Sequence, residues 1–275
     1  MQSRLLLPER DSEKSYYADK DGALNKPGTH LRNWLILTVM AAVFAALIAD
    51  MGLWETGMRF LFPGLGQVVH PRASLLVLVW EHLKLVGISS ALTIVIGVPL
   101  GIWVTRRAGR DFLPVVNNFT SLGQTFPPIA VLALAVPLAG FGLVPTVIAL
   151  FFYGLLPVVR NTISGLRAVP VHLLETAAGM GMNGPEALFK VEMPLAAGVI
   201  LVGIRTSVVI NIGTAMIGAV IGAGGLGSPI VGGLVENNLA FILEGAIPAA
   251  LLAVLVDQLL ANIEHGFDYP RGLTT

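Results

Sequence analysis

The residue types that most often perform chemistry in proteins are few and scattered in this sequence of 275 residues. Its five histidines are isolated, and none lies four residues from another, as the ligands of a helical zinc site do. The absence of cysteine from the sequence excludes disulfides, thiolate metal sites and a cysteine nucleophile. The long apolar stretches contain neither a histidine nor the close pair of acids that an intramembrane enzyme could use. We therefore expect a non-catalytic chain that holds no cofactor or metal of its own.

Polar side chains inside apolar stretches are the better functional candidates, because placing them in lipid is costly. Ser207 and Asn211 are one helical turn apart, and Thr214 follows on the same stretch. These residues could line a translocation path, and Tyr153 could offer its ring to a cation. Hydrogen bonding between helices explains the Ser, Thr and Asn residues equally well.

Arg205 lies well inside an apolar stretch, so its charge must find a partner or water. Glu244 and Asp257 lie toward opposite ends of the next apolar stretch. Asp257 is at the same end as Arg205, and we therefore expect a structural ion pair between Arg205 and Asp257.

The glycine-rich run 222–227 fits the pattern G-x-G-x-x-G of dinucleotide sites. That pattern binds a dinucleotide only after a β-strand and at the start of a helix. Here it follows an apolar helical stretch, so we reject the nucleotide interpretation. We expect these glycines to end the helix and to let the chain turn closely against a neighbour.

The elements that must position these residues are membrane-spanning helices. The sequence is 55% hydrophobic and only 12% charged, whereas soluble domains carry about 25% charged residues. Because a bilayer core needs about 20 apolar residues in a helix, the sequence predicts about six spans. They are 34–49, 83–104, 128–143, 146–159, 196–220 and 241–260. A tight hairpin at 140–145 joins the third and fourth spans. The fourth is short, so we expect a helix that is tilted or partly buried in the protein.

Lys and Arg accumulate before the first span, after the second and between the fourth and fifth, which places these segments and both termini in the cytoplasm. The prediction is an all-α integral membrane protein with both termini in the cytoplasm. Its parts are a polar cytoplasmic tail (1–33), a first span with an outer interfacial segment (34–80), a core (81–264) and a cytoplasmic C-terminal tail (265–275).

The core contains a cytoplasmic loop at 160–195, which is long enough to require a function. Helical patterns at 171–180 and 185–191 flank a turn at 181–184, where glycines supply the backbone angles of a sharp reversal. A helix-turn-helix outside the membrane predicts a contact surface for another protein.

The spacing within this loop resembles the EAA signature of ABC importer permeases. Glu175-Thr176-Ala177 is followed after three residues by Gly181, and after nine more by Val191-Glu192-Met193-Pro194. Thr, Val and Met replace the Ala, Ile and Leu of the signature. The resemblance implies a type I, binding-protein-dependent permease fold with a coupling helix that docks on a separate ATPase. The coupling residues it implies are Glu175, Thr176, Ala177, Ala178, Gly181, Val191 and Pro194.

The resemblance also implies the location, the bacterial plasma membrane, and the partners. The partners are a dimer of ATP-binding subunits, a second permease that is a copy or a relative of this chain, an extracytoplasmic substrate-binding protein and the lipid bilayer, with no nucleic acid. The sequence has no G-x-x-x-x-G-K-[ST] phosphate loop, so ATP and Mg²⁺ are expected on the partner ATPase.

The runs 81–86, 97–101 and 204–227 look like those of osmoprotectant permeases, which import glycine betaine, choline or carnitine. The resemblance covers about residues 81–264 and implies a quaternary-amine substrate. A permease of the same type for amino acids or another small zwitterion is the alternative. A channel or secondary carrier belongs to a different class and would leave the segment 175–194 without a purpose.

Overall fold

The computed structural model describes residues 27–71 and 73–267, and every regular element within these ranges is a helix. The predicted all-α fold is therefore confirmed. A π-helical stretch (Leu188–Glu192) and two 3₁₀ helices (Arg110–Phe112 and Ala215–Ile221) join some of the α-helices. The α-helices are α1 (Pro27–Ala49), α2 (Met51–Leu61), α3 (Leu75–Thr105), α4 (Leu113–Thr125), α5 (Pro128–Ala139), α6 (Leu143–Arg167), α7 (Val171–Gly179), α8 (Gly184–Ala187), α9 (Met193–Thr214), α10 (Gly227–Glu236) and α11 (Leu239–His265).

Several helices are long and apolar enough to cross a bilayer by themselves. They are Leu31–Ala49, Leu75–Thr105, Leu143–Arg167, Gly184–Ile221 and Leu239–Glu264. A further crossing is available if α4 and α5, which meet at an angle of 99°, form one broken span. The predicted number of about six spans is reached only when this bent pair is included.

The prediction that residues 128–143 form one complete span is wrong. Helix α5 has 12 residues, and at 1.5 Å per residue it is about 18 Å long, short of the roughly 30 Å of a hydrocarbon core. Pro127 and Pro128 prevent α4 and α5 from forming one continuous helix, because proline lacks an N–H and disfavours a helical conformation in the residue before it. Helix α4 itself was not predicted, since polar residues interrupt its apolar pattern.

The second and fourth spans are also longer than predicted, with consequences for particular residues. Helix α3 begins at Leu75, so the predicted outer segment ends earlier and contains only α2 as a helix. His82 therefore lies inside a span, contrary to the prediction; it is fully buried, and its Nε2 donates to the Ile212 carbonyl at 3.0 Å. Helix α6 has 25 residues and is not short, so Arg160 and Arg167 are helical rather than part of the loop.

Helix α6 lies at the centre of the bundle, between α3 and α9. Two glycines of α3, spaced as Gly97-x-x-x-Gly101, let α3 approach it closely, as small residues do in membrane helix pairs. A Cβ atom at Gly101 would lie 2.7 Å from Thr162 Cβ, and one at Gly97 would lie 3.0 Å from Val158 Cγ1. The main apolar core lies beside this contact and includes buried residues of α1, α2, α3, α9 and α11.

Replacing Gly101 with leucine is expected to separate α3 from α6 and to destabilise the protein by about 2 kcal/mol or more, because the added side chain overpacks the contact. Thermal unfolding of the purified chain in detergent measures the loss. Gly87→Leu is the matched control in the same helix, since nothing lies within 4 Å of a Cβ at Gly87. Equal melting temperatures for the two variants would contradict the prediction.

Several predictions fall on residues that the structure does not describe. They concern most of the N-terminal tail 1–33, most of the C-terminal tail 265–275, and the basic residues there that contribute to the predicted orientation. The last residues of the predicted N-terminal tail are described, and they belong to α1, which begins at Pro27.

Candidate coupling site

Helix α7 carries the first part of the EAA-like motif. It begins directly after Pro170, whose extended backbone (ψ 134°) sets the chain for a new helix. Glu175 and Ala178 lie at its surface, as does Thr176, whose hydroxyl donates to the His172 carbonyl at 2.8 Å. Ala177 is only 1% exposed and packs against the chain itself. Glu175 and Ala178 are therefore accessible on the outer face of the helix, while Ala177 packs the helix against the rest of the protein.

The turn after α7 is a Schellman motif, in which a left-handed residue closes the end of a helix. Gly181 has φ +81° and supplies that residue. Its N–H donates to the Ala178 carbonyl at 2.9 Å, and the Met182 N–H donates to the Ala177 carbonyl at 3.1 Å. The predicted role of Gly181 in the reversal is confirmed. Gly184 was given the same role, but it does not have a positive φ and is instead the first residue of α8.

The chain then starts α8 through a capping box. The Asn183 side chain accepts from the Glu186 N–H at 3.0 Å, and the Glu186 carboxylate accepts from the Asn183 N–H at 3.1 Å. The π-helical stretch connects α8 to α9 without a break, so the second helical pattern of the loop is the start of the fifth span. Val191 lies in this stretch and Pro194 in the first turn of α9, both partly buried.

Three large apolar side chains lie exposed around the motif. Val171 is 68% exposed, Met180 is 65% exposed and Phe189 is 69% exposed. Sequence reasoning missed them because a single exposed apolar residue carries no signal. With Glu175, they give the region both apolar and acidic exposed groups, a combination that occurs at protein contacts.

A partly buried ion pair joins this region to α3. The two terminal nitrogens of Arg106 donate to the two carboxylate oxygens of Glu192, at 2.8 and 2.7 Å. Sequence reasoning did not find the pair, since its members are 86 residues apart. The contact places the basic turn after α3 and the EAA-like motif at the same end of the bundle, as the predicted cytoplasmic orientation requires.

The glycine-rich run 222–227 ends the fifth span, as predicted. Gly222, Gly224 and Gly225 all have positive φ, and no β-strand precedes them in the described part of the chain. The Gly225 N–H donates to Glu81 Oε2 of α3 at 2.9 Å. The run is thus a close turn against a neighbouring helix, and the short helix α10 follows it.

Ser207 and Asn211 meet in the core of the bundle, beside Gly154 of α6. The Asn211 Nδ2 atom lies 3.4 Å from Ser89 Oγ and 3.2 Å from Ser90 Oγ, and it donates to both across the contact with α3. Ser207 Oγ and Asn211 Oδ1 have no hydrogen-bond partner among the described residues. The structure thus joins these two residues in one buried polar cluster.

Tyr153 and Thr214 lie apart from this cluster. The Tyr153 hydroxyl donates to the Phe126 carbonyl, and Gln124 Nε2 donates to the Tyr153 carbonyl at 2.9 Å, so the side chain is packed where α4 meets α6. Thr214 is half-buried at the end of α9. The four residues predicted to line a path therefore do not form one site in this structure.

The predicted ion pair between Arg205 and Asp257 is confirmed. Arg205 donates through Nε to Asp257 Oδ1 at 2.6 Å and through Nη2 to Oδ2 at 2.8 Å. Glu264 adds a third contact, at 3.3 Å from Arg205 Nη1. The carboxylates tie α9 to α11.

The structure is thus a bundle of apolar helices with an exposed helix-turn-helix at one end. Residues 97–269 match the family described as "Binding-protein-dependent transport system inner membrane component". The chain belongs to this family, and it is an integral, multi-pass permease of the inner membrane.

Characterised proteins and solved structures agree with this assignment. The chain is 42% identical over 193 residues to the glycine betaine/carnitine/choline transport system permease protein OpuCB of Bacillus subtilis, covering 70% of this chain and 88% of that protein. It is 41% identical over 231 residues to the osmoprotectant import permease protein OsmY of Salmonella typhimurium, covering 84% and 93%. A chain of the MetNI methionine ABC transporter, solved in inward facing conformations, superimposes with a TM-score of 0.63 at 22% identity, covering 71% of this chain and 96% of that one. The predicted fold of an ABC importer permease is confirmed.

Proposed function

We propose that the chain translocates a quaternary-amine osmoprotectant, namely glycine betaine, choline or carnitine. A separate ATPase dimer drives the transport, and an extracytoplasmic binding protein delivers the solute. The ATP-driven mechanism is supported above all by the EAA-like segment 175–194, which forms a helix and a sharp turn outside the apolar core. We call it the coupling segment. The substrate class is supported by the substrates for which OpuCB and OsmY are named and by the resemblance of the runs 81–86, 97–101 and 204–227.

The geometry of the coupling segment supports docking on an ATPase. The Schellman turn and the capping box fix the backbone on both sides of the reversal, so little conformational entropy is lost when a partner binds. Exposed Val171, Met180 and Phe189 would bury apolar area, and Glu175 would supply a polar anchor at the edge. ATP and Mg²⁺ would be held by the partner, and this chain would respond by moving its helices.

The path through the membrane remains a proposal. Ser207 and Asn211 support it because each keeps a buried oxygen without a partner among the described residues. They are sealed between α3, α6 and α9, so they would meet a solute only if these helices move apart. The second permease needed for a closed path is either another copy of this chain or a related chain.

Uptake by the assembled transporter in proteoliposomes tests the proposal. The complex contains this permease, its ATPase and its binding protein, and the probes are labelled glycine betaine, choline, carnitine and methionine. We expect ATP-dependent uptake of at least one quaternary amine and none of methionine. ATP-dependent uptake of methionine alone would show that the substrate is an amino acid and not a quaternary amine. Uptake without ATP would favour a secondary carrier or channel.

A further inference from the structure

The Arg106–Glu192 ion pair links the coupling segment to a helix that lies far from it in sequence. Glu192 is 7% exposed although it carries a charge, and both of its oxygens are used by Arg106. Such bidentate pairs fix orientation as well as distance, because two parallel bonds resist rotation. The geometry therefore specifies how α3 and the coupling segment sit relative to each other.

Each member of the pair lies at a mechanically important position. Glu192 is the last residue of the π-helical stretch between α8 and α9, within the Val-Glu-Met-Pro part of the motif. Arg106 directly follows α3, and its N–H closes that helix by donating to the Trp103 carbonyl at 3.0 Å. A displacement of the coupling segment would thus be transmitted to the end of α3 through the Arg106–Glu192 ion pair.

The π-helical stretch explains why such a link is needed. A π-helical insertion departs from the regular α-helical bonding and often marks a functional site, so it is a natural point for α9 to bend. Apolar packing alone would let the neighbouring elements slide, because it is non-directional. Here Leu188 and Met193, like Ile102 of α3, pack against the same small cluster of buried apolar residues. The ion pair, in contrast, fixes the orientation of the π-helical stretch relative to α3.

We propose that Arg106 and Glu192 are positioning residues that make the end of α3 move together with the coupling segment when the ATPase closes. The role is distinct from docking, because Glu192 is buried and engaged by Arg106, whereas a docking partner would meet the exposed residues of α7. It rests on the proposed function only in that an ATPase must act on the coupling segment.

The test measures solute transported per ATP hydrolysed by the reconstituted transporter. We expect Glu192→Gln to lower this ratio by about tenfold, the size of coupling that neighbouring groups in one network show. The charge exchange Arg106→Glu with Glu192→Arg is expected to restore most of it. Arg107→Gln is the matched control, since it removes a neighbouring, exposed positive charge that has no ion pair among the described residues.

A second variant separates positioning from simple folding. The double substitution Arg106→Met with Glu192→Leu removes both charges together and is expected to fold, because apolar pairs can replace buried ion pairs without loss of stability. The proposal predicts a folded, assembled transporter that hydrolyses ATP but transports poorly. Wild-type coupling in this variant would overturn the proposal.

The result also distinguishes this proposal from the proposed function. If the unsubstituted transporter shows no ATP-dependent uptake, the proposed function fails. If it transports and Gly181→Pro stops uptake, while Glu192→Gln leaves the ratio of transport to hydrolysis unchanged, the positioning role alone is wrong.

Discussion

Replacing Gly181 with proline is expected to abolish ATP-driven uptake while leaving the membrane bundle folded. Gly181 has φ +81°, and its N–H donates to the Ala178 carbonyl. Proline holds φ near −65° and has no N–H, so the turn would lose about 3 kcal/mol of stability. If the ATPase binds only the intact turn, this loss lowers the affinity of the permease for the ATPase roughly 100-fold.

Co-purification of the ATPase with the tagged permease measures docking, and uptake in proteoliposomes measures transport. Gly179→Ala is the matched control two residues earlier, where φ is not positive and a Cβ meets nothing within 4 Å. Alanine also favours the helix, so this variant should bind and transport normally. Retention of the ATPase and normal uptake by Gly181→Pro would show that the coupling segment does not dock as proposed.

Replacing Arg205 with methionine is expected to produce the largest loss of stability among single charge removals in the spans. Arg205 contacts both oxygens of Asp257 and one oxygen of Glu264. Without Arg205, two partly buried carboxylates would face each other with no counter-charge. The expected loss in the free energy of unfolding is about 3 kcal/mol, at the lower end for buried pairs because these side chains remain partly accessible.

Denaturant unfolding in detergent measures this loss. Arg59→Met is the matched control, since it breaks the exposed pair with Glu55 on α2 and should cost no more than about 1 kcal/mol. Adding Asp257→Leu to Arg205→Met should recover part of the stability, because it removes one of the two unpaired charges. Equal losses for Arg205→Met and Arg59→Met would show that the network contributes nothing beyond a surface pair.

Predictions from local spacing agreed well with the structure. The glycine at 181 indicated the turn, because the left-handed residue at the end of a helix is usually glycine. Asp257 was identified as the partner of Arg205 from its depth in the next span, because a charge inside a bundle needs a counter-charge at the same level. Both inferences depend on chemistry that a short sequence window contains.

Predictions of helix length and continuity were less accurate. Apolar composition alone could not show that α4 and α5 form a bent pair, because the polar residues of α4 hide it from a hydropathy window. Composition also placed His82 outside the membrane, whereas its ring is buried and hydrogen-bonded to the Ile212 carbonyl. Whether a polar group is tolerated inside a bundle depends on its partner, and that partner comes from a distant helix.

The sequence by itself determined that this protein lies in a membrane, that its helices carry few charges, and that the segment 175–194 reverses direction at Gly181. These properties follow from hydrophobicity and backbone geometry, which act over a few residues. Only the tertiary structure decided that Arg106 holds Glu192, that Ala177 faces inward while Ala178 is exposed, and that Asn211 bonds to α3. Such contacts depend on how helices pack, and packing joins residues that no local pattern relates.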